Sequence, residues 1–134
     1  MKRILWLLTV FILLEGTVKA ETVTYSCIFN RSHIAEWNKN KFSEQDSNSK
    51  FSLIYVYDIV LEKAYMIGNN GVSNVIHILS GDKITFIERT PSGNMTMTTV
   101  YSSKNDKHAA VHSRHIEVIG GSVNSQYYGY CMVK

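Results

Sequence analysis

From residue 22 onward, polar and apolar residues alternate in short runs, with the two-residue period of β-strands that bury one face. In the clearest run, Phe51–Asp58 (FSLIYVYD), the odd-numbered residues are all aromatic or aliphatic and would share one face. Gly, Asn, Asp or Ser residues separate the runs, and these residues favour tight turns. The pattern predicts strands at 22–29, 51–58, 64–67, 74–79, 84–89, 95–101, 108–119 and 125–133.

The short connections between these strands leave no room for crossover helices, so consecutive strands should pair antiparallel. We therefore expect an all-β, single-domain antiparallel meander of about eight strands over residues 21–134. A meander of this size closes into a small barrel or folds into a β-sandwich. The pattern does not choose between the two.

One segment, residues 33–50 (HIAEWNKNKFSEQDSNSK), departs from the alternation and is mostly polar. Ile34 and Trp37 lie three positions apart, a spacing that predicts a short helix near residues 33–39. Residues 42–50 then indicate an exposed loop. A helix that closes one end of a barrel would explain Trp37 and Phe42, whereas a disordered loop is the alternative.

Residues 1–20 have the three parts of a secretory signal peptide. Lys2 and Arg3 precede the apolar run Ile4–Leu14, and small residues at Val18 and Ala20 predict cleavage after Ala20. The run has only about eleven residues, whereas a membrane-spanning helix needs ~20. We expect an exported protein, periplasmic or secreted, with no membrane span after cleavage.

The balance of charged residues gives little further information about function. The 134-residue chain has 14 Lys and Arg against 11 Asp and Glu, and part of the net charge of +3 belongs to the signal segment. Proteins that bind nucleic acid concentrate their basic residues on one face, and no such cluster is present. Nucleic acid is therefore not an expected partner.

The only two cysteines, Cys27 and Cys131, lie near opposite ends of the expected domain. Cysteine pairs normally oxidise in exported proteins, and two cysteines without a nearby histidine pair make a poor zinc site. We expect a disulfide between Cys27 and Cys131 that joins the first strand to the last. A loop of about 105 residues closed in this way would stabilise the fold by roughly 4–5 kcal/mol.

Three histidines, His108, His112 and His115, lie in one predicted strand. His108 and His112 would share a face, but an extended chain separates them by roughly 13 Å, which is too far for one metal ion. Ser113 would point away from His112, because neighbouring residues in a strand face opposite sides. The segment therefore predicts neither a metal site nor a serine nucleophile.

The candidate binding residues are charges and aromatics within strong strand patterns. His112 and Arg114 should project from one face, where they would bind an acidic group or pair with Glu88 inside the fold. Arg89 follows Glu88 directly. Tyr127 and Tyr128 belong to a tyrosine-rich final strand, and tyrosine combines an apolar ring with a hydroxyl that suits binding surfaces.

Two resemblances accompany this pattern. A set of segments resembles a group of uncharacterised small exported bacterial β-proteins: Gly81–Glu88 (GDKITFIE), Val111–His115 (VHSRH), and Ser125–Gly129 (SQYYG) followed by Cys131. Tyr25-Ser26-Cys27, the strand at 51–58 and the closing cysteine are similar in arrangement to the periplasmic inhibitors of C-type lysozyme. Those inhibitors are eight-stranded antiparallel barrels with an end-to-end disulfide, so the resemblance implies the same fold here.

Three hypotheses for the function follow. The first is an exported, non-enzymatic binding module for a small apolar molecule in the barrel mouth or for a protein at the loops. The second is a periplasmic inhibitor of a cell-wall hydrolase such as lysozyme. The third is a small hydrolase built around Glu88, His112 and Arg114. None of the motifs predicts a cofactor or a metal, and we expect a monomer.

Overall fold

A computed structural model describes residues 21–134, which form nine β-strands. The predicted signal peptide and its cleavage site lie outside the described residues, apart from Glu21. The strands are β1 (Thr22–Asn38), β2 (Lys41–Ser47), β3 (Phe51–Asp58), β4 (Lys63–Gly68), β5 (Gly71–Ser80), β6 (Lys83–Arg89), β7 (Met95–Tyr101), β8 (Lys107–Val118) and β9 (Gly121–Val133).

The strands form a closed antiparallel barrel. Sequential neighbours pair from β3 to β9, and β1 pairs with both β3 and β9, which closes the ring with eight strands. The remaining strand, β2, is an additional edge strand that pairs with β1 alone. The all-β meander and the small barrel are thus confirmed, and the β-sandwich alternative is wrong because β1 and β9 join the two ends of the sheet.

Strand β1 is far longer than predicted because its two halves pair with different strands of the same sheet. Its first half lies between β9 and β3, and its second half, beyond an irregularity between Phe29 and Arg31, lies between β9 and β2. The second half of β1, β2, the first half of β9 and the end of β8 project past the barrel as a four-stranded extension, here called the arm.

The arm corrects two predictions. Residues 33–38 are not a helix but continue β1, and most of the predicted loop at 42–50 is strand β2. Lys39 and Asn40, both with positive φ, form the two-residue turn between them, as in the hairpin turns that match the twist of their strands. Trp37 and Phe42 pack against each other across this hairpin, with tilted rings and centroids 4.7 Å apart, and do not plug the barrel.

The barrel interior is filled by side chains. The largest fully buried ones are those of Phe29, Tyr55 and Phe86. The rings of Tyr55 and Phe86 stack in parallel with centroids 4.3 Å apart. Alternation along β3 brings Phe51, Leu53, Tyr55 and Tyr57 to this core, as the sequence pattern predicts.

The predicted disulfide is present and lies at the closure of the barrel. Cys27 of β1 and Cys131 of β9 are direct register partners, with Cα atoms 3.9 Å apart and both side chains buried. The bridge therefore joins the two strands that close the ring. Within residues 21–134, no helix has the length and apolar character needed to cross a membrane.

Candidate functional site

A buried chain of hydrogen bonds crosses the barrel interior at His112. The Thr98 hydroxyl lies 2.6 Å from the Tyr55 hydroxyl and 2.7 Å from Nδ1 of His112. If Tyr55 donates to Thr98 and Thr98 donates to His112, both hydroxyl hydrogens have a partner. That arrangement requires a neutral His112 whose Nδ1 accepts.

The surroundings of His112 maintain its neutral form. The side chain is only 3% exposed, and the rings of Phe29, Phe51 and Tyr127 lie with centroids 5.3–5.8 Å from its own. Burial and, to a smaller extent, the charge of Arg114 together lower the pKa of His112 to about 4. Burial likewise raises the pKa of Tyr55, and the Glu88 carboxylate adds to this effect.

Glu88 and Arg114 lie on the same inner face, toward the arm end of the barrel. Thr96 is the register partner of both residues, and its hydroxyl donates a hydrogen bond of 3.3 Å to Oε2 of Glu88. Across the described part of the chain, no ion pair within 4.0 Å joins Glu88 to Arg114. Glu88 and Arg114 therefore do not form the predicted ion pair, because Thr96 lies between them.

Of the six binding residues predicted from the sequence, four face the barrel interior and two face outward. Glu88, His112, Arg114 and Tyr127 face the interior, where Tyr127 packs edge-on against Phe51 with a centroid distance of 4.7 Å. Arg89 and Tyr128 alternate to the outside, and both are exposed. The Tyr128 hydroxyl donates to Oε1 of Gln126, 2.8 Å away on the same outer face.

The contacts of His112 within this inner cluster are to Thr98 and to aromatic rings. The Thr98 hydroxyl is hydrogen-bonded to Nδ1 of His112, and aromatic side chains surround the imidazole. Ser113 points to the opposite face of β8. His108 shares the inner face with His112 while His115 points outward, as predicted. Among residues 21–134, no group of three or more His, Cys, Asp or Glu side chains is placed to hold a metal ion. The cluster is thus built to pack and to satisfy buried polar atoms.

A surface cleft opens at the other mouth of the barrel, away from the arm. It has a volume of about 260 Å³ and is here called the lower cleft. Its apolar lining comes from five strands: Tyr25, Leu79, Ile84, Val100 and Val133. Ile84 and Val100 belong to the buried core and form its floor, whereas Leu79 is exposed at its rim.

Polar groups surround this apolar floor. Gly81, Asp82 and Lys83 of the β5–β6 turn, together with Ser102 and His108, complete the lining. The Ser102 N–H donates to the Asp82 carbonyl, 2.6 Å away, and the Ser103 N–H donates to Nδ1 of His108, 3.1 Å away. Burial, followed by the nearby Tyr57, raises the pKa of Tyr25, which therefore faces the cleft as a neutral phenol.

Sequence reasoning missed the lower cleft. Tyr25 and Val133 are register partners across the β1–β9 closure, but they are more than 100 residues apart in the chain. Each residue alone has the pattern of an ordinary core position. Only the closure of the barrel brings them beside Ile84 and Val100, so no local motif could have indicated the cleft.

No family model matches the chain, and no curated protein sequence matches it.

Proposed function

We propose that this protein is an exported binding module that takes a small, mostly apolar molecule into the lower cleft. The supporting observation is the cleft itself, with an apolar floor at Ile84 and Val100 and polar groups at its rim. Ligand sites usually combine apolar walls with a few placed polar groups, in volumes of roughly 300–1,000 Å³. At about 260 Å³, the lower cleft suits a single aromatic ring or a short acyl chain.

The polar rim suggests which ligands bind best. Asp82, Lys83 and His108 are all placed to meet a polar end group, while the apolar part of a ligand contacts the floor. We therefore expect an amphipathic molecule, such as a phenol or a short alcohol, to bind more tightly than a hydrocarbon of equal size. The buried polar cluster at the arm end is not part of this site.

Titration by NMR tests the proposal. Amide resonances are followed while p-cresol or 1-hexanol is added to the oxidised protein. Binding in the lower cleft should shift resonances of Ile84, Val100 and Val133. Val133→Phe should fill the cleft and abolish these shifts.

Met132→Phe is the matched control, because it adds the same ring one residue away on the opposite face of β9. This variant should bind as the wild type does. Shifts confined to other surfaces, or equal binding by Val133→Phe, would contradict the proposal.

Inhibition of a cell-wall hydrolase is a second candidate function. The observation that favours it is architectural, because an eight-stranded barrel closed by a bridge between its first and last strands is the arrangement that the sequence resemblance implies. Shared architecture alone does not fix function. A lysozyme assay decides: an inhibitor should slow a C-type lysozyme at near-stoichiometric ratio, and unchanged rates would exclude it.

A further inference from the structure

The far end of the arm consists of two hairpin turns that lie side by side. Asn38 pairs with Lys41 within the β1–β2 hairpin and with Gly121 of β9, and Gly121 also pairs with Val118 within the β8–β9 hairpin. The turns at residues 39–40 and 119–120 are therefore neighbours. Residues 37–42 and 118–121 are called the arm tip here.

The arm tip exposes large apolar side chains at the point farthest from the core. Ile119 is fully exposed, Phe42 is 59% exposed, and Trp37 and Val118 are also exposed. Trp37 and Phe42 pack only against each other among the described aromatic contacts. Four such side chains on two adjacent turns are more than the scattered apolar residues of an ordinary surface.

The charges of the arm tip are all positive. Lys39 and Lys41 are the only ionisable side chains among its ten residues. A second exposed apolar turn, Ile59–Leu61 between β3 and β4, is by contrast flanked by Asp58 and Glu62. The two turns are similar in apolar character. The lysines lie within the arm tip, with Glu36 and Glu117 just behind it, whereas Asp58 and Glu62 directly flank the second turn.

We propose that the arm tip inserts into a lipid surface that carries anionic headgroups. Exposed Trp and Phe prefer the boundary between headgroups and acyl chains. Basic residues beside them gain about 1 kcal/mol each near an anionic surface. The protein would lie on the membrane by its tip and would not span it. This inference is independent of the lower cleft.

Trp37 provides a direct test, because it is the only tryptophan in residues 21–134. The experiment uses the oxidised chain from Glu21 to Lys134, which contains all nine strands and the disulfide. It omits the apolar run at residues 4–14, which would bind lipid by itself. On addition of phosphatidylglycerol vesicles, Trp37 emission should move to shorter wavelength, and brominated acyl chains should quench it.

Variants separate the apolar and the electrostatic contributions. Ile119→Asp should abolish binding, and it removes no packing because Ile119 is fully exposed. Leu61→Asp, in the acidic turn, should bind normally. Lys39→Gln with Lys41→Gln should weaken partitioning about 30-fold. Lys63→Gln with Lys104→Gln, which removes the same charge from exposed positions at the other end of the barrel, should not.

Each result decides the proposal. A blue shift and quenching that depend on Ile119 and on the two arm-tip lysines support it. Unchanged Trp37 emission with anionic vesicles overturns it, and so does binding that Ile119→Asp leaves intact. Capture of a protein by the arm tip without vesicle binding would also overturn it, in favour of a protein partner.

Discussion

At His112, burial lowers the pKa of a ring whose Nδ1 contacts the Thr98 hydroxyl. While Nδ1 is unprotonated it can accept a hydrogen bond from the Thr98 hydroxyl, which can then accept one from Tyr55. Protonation of His112 would turn Nδ1 into a donor, reverse the direction of both hydrogen bonds and place a charge among the rings of Phe29, Phe51 and Tyr127. The folded barrel therefore opposes the charged form of this histidine.

Acidification should destabilise the fold through this residue. The unfolded chain binds a proton at His112 near pH 6.5, whereas in the folded barrel its pKa is about 4. Because the unfolded state takes up more protons between these values, stability is fully present above about pH 6.5 and falls as the pH drops toward 4. The total loss should be roughly 3 kcal/mol, measured by urea unfolding across this window.

His112→Gln provides the comparison, since it removes the titrating ring and leaves every carboxylate in place. The unfolding free energy of this variant should depend less steeply on pH. The difference in slope should correspond to up to one proton fewer taken up on unfolding over the same window. A slope equal to that of the wild type would assign the acid sensitivity to other groups.

Gly129 is a second position where one residue fixes the geometry. A Cβ built there would collide with the Ile28 carbonyl oxygen and lie 2.8 Å from Cα of Phe29, both on the backbone of β1. Because backbone cannot move aside as a flexible side chain can, Gly129→Ala should destabilise the barrel by about 2–3 kcal/mol. Thermal and urea unfolding measure this loss.

Gly68→Ala is the control for the same change at an open glycine. Its Cβ would meet only the side chains of Met66 and Leu53, at 3.9 and 4.0 Å. We expect a change within about 1 kcal/mol. Equal losses at both positions would show that close approach at the β1–β9 closure is not what requires Gly129.

At the scale of elements, the β3–β4 turn depends on the last residue of β3. Oδ1 of Asp58 accepts hydrogen bonds from the N–H groups of Val60, at 3.0 Å, and Leu61, at 2.9 Å. The Asp58 side chain is buried against this turn. Its carboxylate is thus a structural acceptor, which explains a charged residue within a strong strand pattern.

Asp58→Ala should leave two N–H groups without their acceptor and lower the unfolding free energy by about 1–2 kcal/mol. Asp58→Asn keeps a side-chain oxygen in the same place and should lose less than half as much. Equal unfolding midpoints in urea for the two variants would contradict this role.

The arm shows where alternation fails as a guide to elements. Both faces of β2 are exposed, so no alternation of apolar and polar residues is needed to bury one of them. The spacing of Ile34 and Trp37 therefore suggests a helix that does not form. One sequence feature does indicate the hairpin. In Trp37–Phe42 (WNKNKF), the two aromatic residues lie at equal distances from the Lys39–Asn40 turn.

The candidate sites differ in how far the sequence could predict them. His112 and Arg114 share a face as expected, because alternation along one strand decides it. The distance between Glu88 and Arg114 depends instead on Thr96, which belongs to an intervening strand. The lower cleft needs residues from five strands and the closed ring, so it could be found only from the fold.

For the whole molecule, the disulfide is the largest single stabilising constraint that the chain provides. It links residues 104 positions apart, and the chain-entropy model gives about 4–5 kcal/mol for a loop of this size. Cys27→Ala with Cys131→Ala should lower the unfolding free energy by up to that amount in urea.

Reduction of the wild-type protein is the matched experiment. Both sulfur-bearing side chains are buried, so dithiothreitol should reduce the bridge slowly in the native state and faster as urea opens the barrel. Fast reduction without urea, or unchanged stability in the double variant, would contradict a closing role for the bridge.

The pairing of β1 with β9 also sets a limit on when the barrel can form. A ribosome makes β1 first among the nine strands and β9 last. Until residues 121–133 have been made, one edge of β1 has no partner, and neither hairpins nor neighbouring strands can supply one. The nascent chain thus keeps an open edge on β1 until β9 has been made, and a chain that ends before residue 121 lacks both the closing strand and Cys131.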